Sequence, residues 1–228
     1  MKQSDYRSQF YAVEEELISK FGRQRLEETG FPVYFNKFLP ASYLGWSRVF
    51  TAQKLLSGMQ GNSALDFGSG LGVSLPYLTK NYKRVVACEL DIEVTEFMVR
   101  KLGLGSVELV RNISECKPDH WFDTIVALDV LEHVENLPAV FQSFRSVTAN
   151  DGIWIISGPT ETLFYKLARK IARTCGKGHV RTVYDVFNEI PGNMICEKVC
   201  QLPCGMPLFL IGRFGNIERE SRLQGKTS

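Results

Sequence analysis

The chain has 228 residues, a formal net charge of +2, and 44% apolar and 11% aromatic residues. That composition supplies a core and excludes a disordered chain, and a charge so near neutral gives no support to a nucleic-acid-binding surface. No run of about 18 apolar residues occurs, so no transmembrane segment is expected. The N-terminal MKQSDYRSQFYAVEEEL lacks the apolar centre of a secretory signal, and the six cysteines then read as reduced thiols of a cytoplasmic protein.

From Tyr6 to Phe21, the residues Phe10, Val13, Leu17 and Ile18 recur at helical spacing and predict an amphipathic helix. The Gly- and Pro-punctuated stretch from Thr29 to Trp46 reads as an irregular aromatic loop that packs or closes over something. Ser47–Met59 is a predicted helix, stopped at Gly61 and Asn62. The rhythm then changes to strand, turn, helix. Ser63–Phe67, Arg84–Glu89, Val107–Val110, Phe122–Leu128 and Gly152–Ser157 are the predicted strands. Helices are predicted over Leu71–Lys80 and Glu93–Lys101, and through Ala139–Val147. Strands that are apolar throughout and alternate with helices imply a parallel sheet covered on both faces. Met194–Leu202 and Pro207–Phe214 are two further strand-like runs, joined by so short a link that they must be antiparallel. Residues 1–61 are therefore read as a helical cap, 62–216 as one α/β domain, and 217–228 as a polar tail.

The stretch Ala64-Leu65-Asp66-Phe67-Gly68-Ser69-Gly70-Leu71-Gly72 sits where a strand ends and a helix begins. Glycines there let the backbone approach a ligand closely, beside free N–H groups. A dinucleotide fold uses a similar turn, but two details speak against one. Asp66 would repel a pyrophosphate and suits an ammonium, and Val73 stands where the dinucleotide pattern wants Gly or Ala. Glu89 ends the next strand about 20 residues on, where a carboxylate holds ribose hydroxyls. Asp91 is its competitor for that task.

These features resemble the class I S-adenosylmethionine-dependent methyltransferase family, within the broad group that includes ubiquinone-biosynthesis-type enzymes. The similarity runs in order through LDFGSGLG, VVACELD, VELVRNIS, FDTIVALDVLEHV and GIWIISGPT, and covers roughly Ser63 to Phe214. It implies an α/β fold: a doubly wound, Rossmann-like seven-stranded sheet with the last strand antiparallel, behind an N-terminal helical cap. It also implies S-adenosylmethionine as cofactor. Gly68, Ser69, Gly70 and Gly72 would cradle its methionine part, with Asp66 near the ammonium. Glu89 would take the ribose hydroxyls, Leu90 would pack on the adenine, and Asn112 and Ile113 would lie beside it. Relatives often carry Asp at the place of Asn112, meeting the adenine amino group; Asn keeps a side-chain oxygen acceptor. Asp129 would line the site near the transferred methyl, and Phe31–Trp46 would form the lid.

The function expected is methyl transfer to a small-molecule or lipid- or glycan-linked acceptor, with oxygen as the expected acceptor atom. A hydroxyl acceptor calls for a base, and His179 is the preferred candidate, with His133 second. Arg181 is weighed as a group that would hold an acidic acceptor instead. Two rival functions are a catalytically silent, methyltransferase-like binding subunit and, further off, a nicotinamide-dependent oxidoreductase. Cys196, Cys200 and Cys204, with Cys175 and His179 upstream, do not match paired zinc knuckles, so no metal site is expected. The basic, loosely amphipathic run from Tyr165 to Arg173 suits contact with a membrane surface as well as the outer face of an ordinary helix. Oligomeric state is not legible.

Overall fold

The computed structural model describes residues 2–36, 39–116, 121–161, 180–203 and 207–216. Seven strands form one sheet: β1 (Gly61–Phe67), β2 (Tyr82–Cys88), β3 (Val107–Val110), β4 (Phe122–Leu128), β5 (Thr148–Pro159), β6 (Met194–Leu202) and β7 (Phe209–Asn216). Their order is β3-β2-β1-β4-β5-β7-β6. Neighbours from β3 to β5 are parallel, and β7 runs antiparallel between β5 and β6. The strand order reverses between β1 and β4, and the carboxyl ends on either side of such a reversal leave a crevice.

Alternation along the strands explains the two covered faces, because successive side chains point to opposite sides. Leu65, Val86, Ile125, Trp154 and Ile156 meet Phe141 and Phe144 of α7 (Leu137–Val147). Val186 of α8 (Val183–Asn188) joins them. Ala64, Val85, Ala87, Val126, Ile153 and Ile155 face the other way, onto Leu75 and Leu78 of α5 (Leu75–Asn81). Trp154 stacks on Phe141 with ring centroids 5.7 Å apart, and its indole N–H donates to Thr148 Oγ1 at 2.9 Å. The burial of its large apolar body therefore leaves no polar atom unmatched.

The N-terminal region departs from the sequence expectation in two ways. The predicted helix over Tyr6–Phe21 is two helices, α1 (Gln3–Tyr11) and α2 (Glu14–Leu26), because Val13 leaves helical geometry at φ −108° and ψ 5°. The stretch expected as an irregular loop holds α3 (Phe31–Tyr34) and the first turns of α4 (Leu39–Leu55). Three of its aromatics are core, whereas Tyr43 is exposed. Phe31, Tyr34 and Trp46 are buried together with Tyr6, Phe10, Leu17 and Leu26. That cluster also takes in Leu71 and Val73 beyond β1, and Val94 and Met98 of α6 (Ile92–Lys101). The cap is thus packed onto the turn that follows β1, and Tyr6 Oη donates to the carbonyl of Val73 at 2.7 Å. Further along, Ala52 and Leu55 of α4 belong to the sheet's own core. The carbonyl of Leu55 is met by Arg213 of β7 at 2.8 Å, which satisfies an acceptor that the end of a helix leaves open.

Candidate active site

The crevice above β1 and β4 opens into a cavity of about 840 Å³. Its floor is the turn after β1. Gly68 and Gly70 sit at φ +71° and +49°, the left-handed region that costs glycine nothing. A Cβ on Gly68 would overlap Val130, and one on Gly70 would lie 2.6 Å from the carbonyl oxygen of Thr29. The turn is therefore a bare backbone cradle between β4's exit and the cap. The N–H groups of Gly68 and Ser69 are held by the carbonyl of Cys88, and Thr95 Oγ1 holds the carbonyl of Gly70 at 2.7 Å.

Two carboxylates anchor this floor. Asp66 is 3% exposed, and burial pushes its pKa up to about 7, against the opposing pull of Ser74, whose hydroxyl donates to Oδ2 at 2.5 Å. Glu89 leaves the end of β2 and accepts the N–H of Gly70 at 2.8 Å. Its competitor Asp91 is already engaged, with both oxygens on Arg25 at 2.6 and 2.7 Å. Leu90 stands 79% exposed on the cavity wall, steadied by Arg111, which donates to its carbonyl at 2.9 Å. Asn112 and Ile113 lie on the same wall.

The opposite end is a buried polar cluster. Asp129 leaves β4 at φ +54°, a conformation costly for a residue with a side chain and one that gathers at functional sites. Its carboxylate receives Arg48 of α4 at 2.5 Å and the hydroxyl of Ser157 at 2.9 Å. Arg48 is 4% exposed and lies over the ring of Phe209 at 4.2 Å. Next to them Glu132 is 2% exposed, and its Oε2 has no hydrogen-bond partner among the described residues. Burial first, then the negative charge of Asp129, holds the Glu132 carboxyl well above the usual carboxylate range. A buried polar atom left unmatched is uncommon and expensive, and in a cavity wall it marks a place for a ligand.

Sequence reading placed Asp66, Gly68, Ser69, Gly70, Gly72, Glu89, Leu90, Asn112, Ile113 and Asp129 near one another, and of these all but Gly72 line the cavity. Gly72 stands one step further, turned onto Leu75. His133 is on the cavity wall and exposed. His179 lies outside the described residues, as do Cys175, Cys204 and the basic run from Tyr165 to Arg173. Arg181 is bound to Glu189 at 2.9 Å and to the carbonyl of Glu135 at 2.8 Å. Arg48 and Glu132 were missed, whereas Tyr34, which lines the cavity, falls within the stretch expected as the lid. Arg48 comes from the cap, where no motif marks it. Glu132 was in view beside His133, but only the fold shows which of the two is buried.

The sequence profile of the methyltransferase domain family matches residues 45–189, more than half of the chain. The chain belongs to the methyltransferase domain family. Among curated proteins this methyltransferase is similar to (S)-coclaurine N-methyltransferase of Thalictrum flavum subsp. glaucum, at 30% identity over 102 residues, 42% of this chain and 28% of that one. It is also similar to ubiquinone biosynthesis O-methyltransferase of Rhodopseudomonas palustris (strain BisB5), at 27% identity over 109 residues, 46% and 42% of the two chains. Each match thus spans less than half of the relative's length. Among solved structures, the N-methyltransferase NodS from Bradyrhizobium japonicum WM9, in complex with S-adenosyl-L-homocysteine, shares the fold with a TM-score of 0.63 at 17% identity, over 91% of this chain and 98% of that one.

Proposed function

We propose that this methyltransferase moves the methyl group of S-adenosylmethionine onto the nitrogen of a small amine held at the acidic end of the cavity. The observation that carries the amine is Glu132, a buried carboxyl with one oxygen unmatched among the described residues, beside Asp129. An ammonium is the ligand chemistry that such a group lacks. The cradle suits the cofactor. Gly68 and Gly70 offer a backbone with no room for a side chain, Asp66 a buried acid for an ammonium, Glu89 an oxygen pair for a diol, and Leu90 an exposed apolar surface for a base. The solved relative bound to S-adenosyl-L-homocysteine supports the same assignment.

When bound, S-adenosylmethionine supplies a methyl group activated on a sulfonium. The chain's own task is to align the acceptor, exclude water and manage one proton. An ammonium has no lone pair, so it must lose a proton before it can attack. The ammonium's positive charge favours the ionised form of Glu132, which releases its own proton to solvent as the amine binds and then takes the ammonium's proton at Oε2, where burial makes the carboxylate a better base than it is in water. Arg48 and Ser157 fix Asp129 at its side, so the negative charge facing the acceptor does not move.

A hydroxyl acceptor is the second reading. The similarity to an O-methyltransferase and the place of His133 on the wall favour it. Incubation with labelled methyl donor and separate pools of amines, phenols, and lipid- or glycan-linked acceptors distinguishes the two. Label in the amines with the hydroxyl pools blank is expected. Label in hydroxyls alone overturns nitrogen, and no label despite bound S-adenosylhomocysteine returns the silent binding subunit.

Asp66 adds a pH dependence. Its carboxyl must be ionised to meet an ammonium, and in the empty site it holds its proton up to about pH 7. Affinity for S-adenosylhomocysteine is therefore expected to fall as pH drops below that value, by up to about tenfold per pH unit. Calorimetric titration between pH 5.5 and 8.5 measures the slope. The variant Asp66→Asn is expected to bind weakly with no slope, and an equal slope in the variant would assign the proton elsewhere.

A further inference from the structure

The cofactor assignment above leaves open how the base is recognised, and the answer lies in the side chain of Asn112. Asn112 ends the β3 connection and lines the cavity with Leu90 and Ile113. On sequence grounds its amide oxygen stands in for a carboxylate that accepts the adenine amino group. The structure commits that oxygen elsewhere. Asn112 Oδ1 accepts the N–H of Ser114 at 2.9 Å, and Glu115 bonds back to the N–H groups of Asn112 and Arg111 at 2.8 and 3.1 Å. The side chain is thereby fixed as one half of a reciprocal cap on the turn Ile113–Glu115.

The amide cannot be turned over in this arrangement, because that would set its N–H against the N–H of Ser114. The arm left over is Nδ2, which carries two donors and no acceptor. It has no hydrogen-bond partner among the described residues. A base edge meeting that arm meets a donor, where an aspartate would have presented a second oxygen. The adenine edge carries both kinds of group side by side: the amino group donates, and the adjacent ring nitrogen N1 accepts.

We infer that Asn112 recognises the cofactor's base by donating an Nδ2–H to ring nitrogen N1, and does not receive the amino group. The chain therefore depends on the ring acceptor and tolerates loss of the amino group.

Calorimetric affinities for S-adenosylhomocysteine, its 1-deaza analogue and its 6-deamino analogue test this without any turnover. On the wild-type chain the 1-deaza compound, which keeps the amino group but lacks N1, is expected to bind about 5- to 10-fold more weakly. The 6-deamino compound, which keeps N1, is expected within about twofold of the parent, since no hydrogen bond to it is lost. Asn112→Asp keeps the cap with one oxygen and offers the other as an acceptor, so the order of the two analogues should invert. A wild-type chain that loses more affinity on deamination than on removal of N1, or that responds equally to both, overturns the inference and leaves the cofactor reading intact. Binding of none of the three overturns the cofactor reading and this inference with it. Should Asn112→Asp fail to fold, Asn112→Ser, which keeps a capping oxygen and removes Nδ2, is expected to bind the parent and the 1-deaza compound alike, and a preference kept at the wild-type size would assign N1 to another donor and overturn the inference.

Discussion

Gly70→Val is expected to weaken S-adenosylhomocysteine binding by at least about 100-fold while leaving a folded chain. The argument is local. Gly70 occupies φ +49°, where a β-branched residue costs about 1–2 kcal/mol before any contact is considered. Its new Cβ would also lie 2.6 Å from the carbonyl oxygen of Thr29. That neighbour is backbone between α2 and α3, so it cannot swing aside as a side chain would. The turn must move, and with it the N–H that Gly70 gives to Glu89. Two ligand-facing groups are lost at once, the cradle and the orientation of the carboxylate. The sheet beneath is untouched, because Leu65 and Ala64 face helices α7 and α5 on either side of it. Calorimetry reports the affinity, and circular dichroism with a thermal melt reports the fold. Affinity within threefold of wild type, in a folded variant, would remove the glycine turn from the cofactor site.

The sheet was legible in the sequence because its strands are short apolar runs punctuated by turns and helices, a pattern that leaves few topologies. The antiparallel β7 followed from a link too short for any crossover. The floor of the site was legible for a different reason. Gly68, Gly70, Asp66 and Glu89 carry constraints of backbone and charge that are local, so spacing along the chain reveals them.

The cap was not legible in the same way. Its aromatics at Phe31, Tyr34 and Trp46 read equally as a loop, a lid or core, and only their common burial with Leu71, Val73 and Met98 decides. Arg48 illustrates the limit. It lies 81 residues from Asp129, a cation on a helix that looks ordinary in sequence, yet it is 4% exposed and bonded to the acid at the exit of β4. Nothing periodic announces such a pair; it exists because α4 lies across the sheet. Asn112 shows the converse. The residue type was read correctly as keeping an oxygen, and the fold then spends that oxygen on Ser114.

Glu132→Gln is expected to lower turnover of an amine acceptor by about 100- to 10,000-fold, the range for loss of a positioned proton acceptor. Affinity for S-adenosylhomocysteine should stay within about threefold, because none of the cradle's bonds involves Glu132. The same variant separates catalysis from structure through its effect on stability. The carboxyl of Glu132 binds its proton more tightly in the fold than in the unfolded chain, because burial disfavours the charge. Between the unfolded value of 4.5 and the raised folded value, the folded state holds more protons, so stability falls as pH rises through that window. The penalty is fully present above it. Glutamine carries no such penalty, and the variant should melt higher than wild type at pH 8, with a difference that shrinks toward pH 4. A residue kept only for packing would give the opposite result, a lower melt with turnover little changed. Slower transfer together with a more stable fold would mean that the buried acid destabilises the empty enzyme and is justified by the proton it accepts. Turnover at the wild-type rate would sink Glu132 as the proton acceptor, whatever the melt shows.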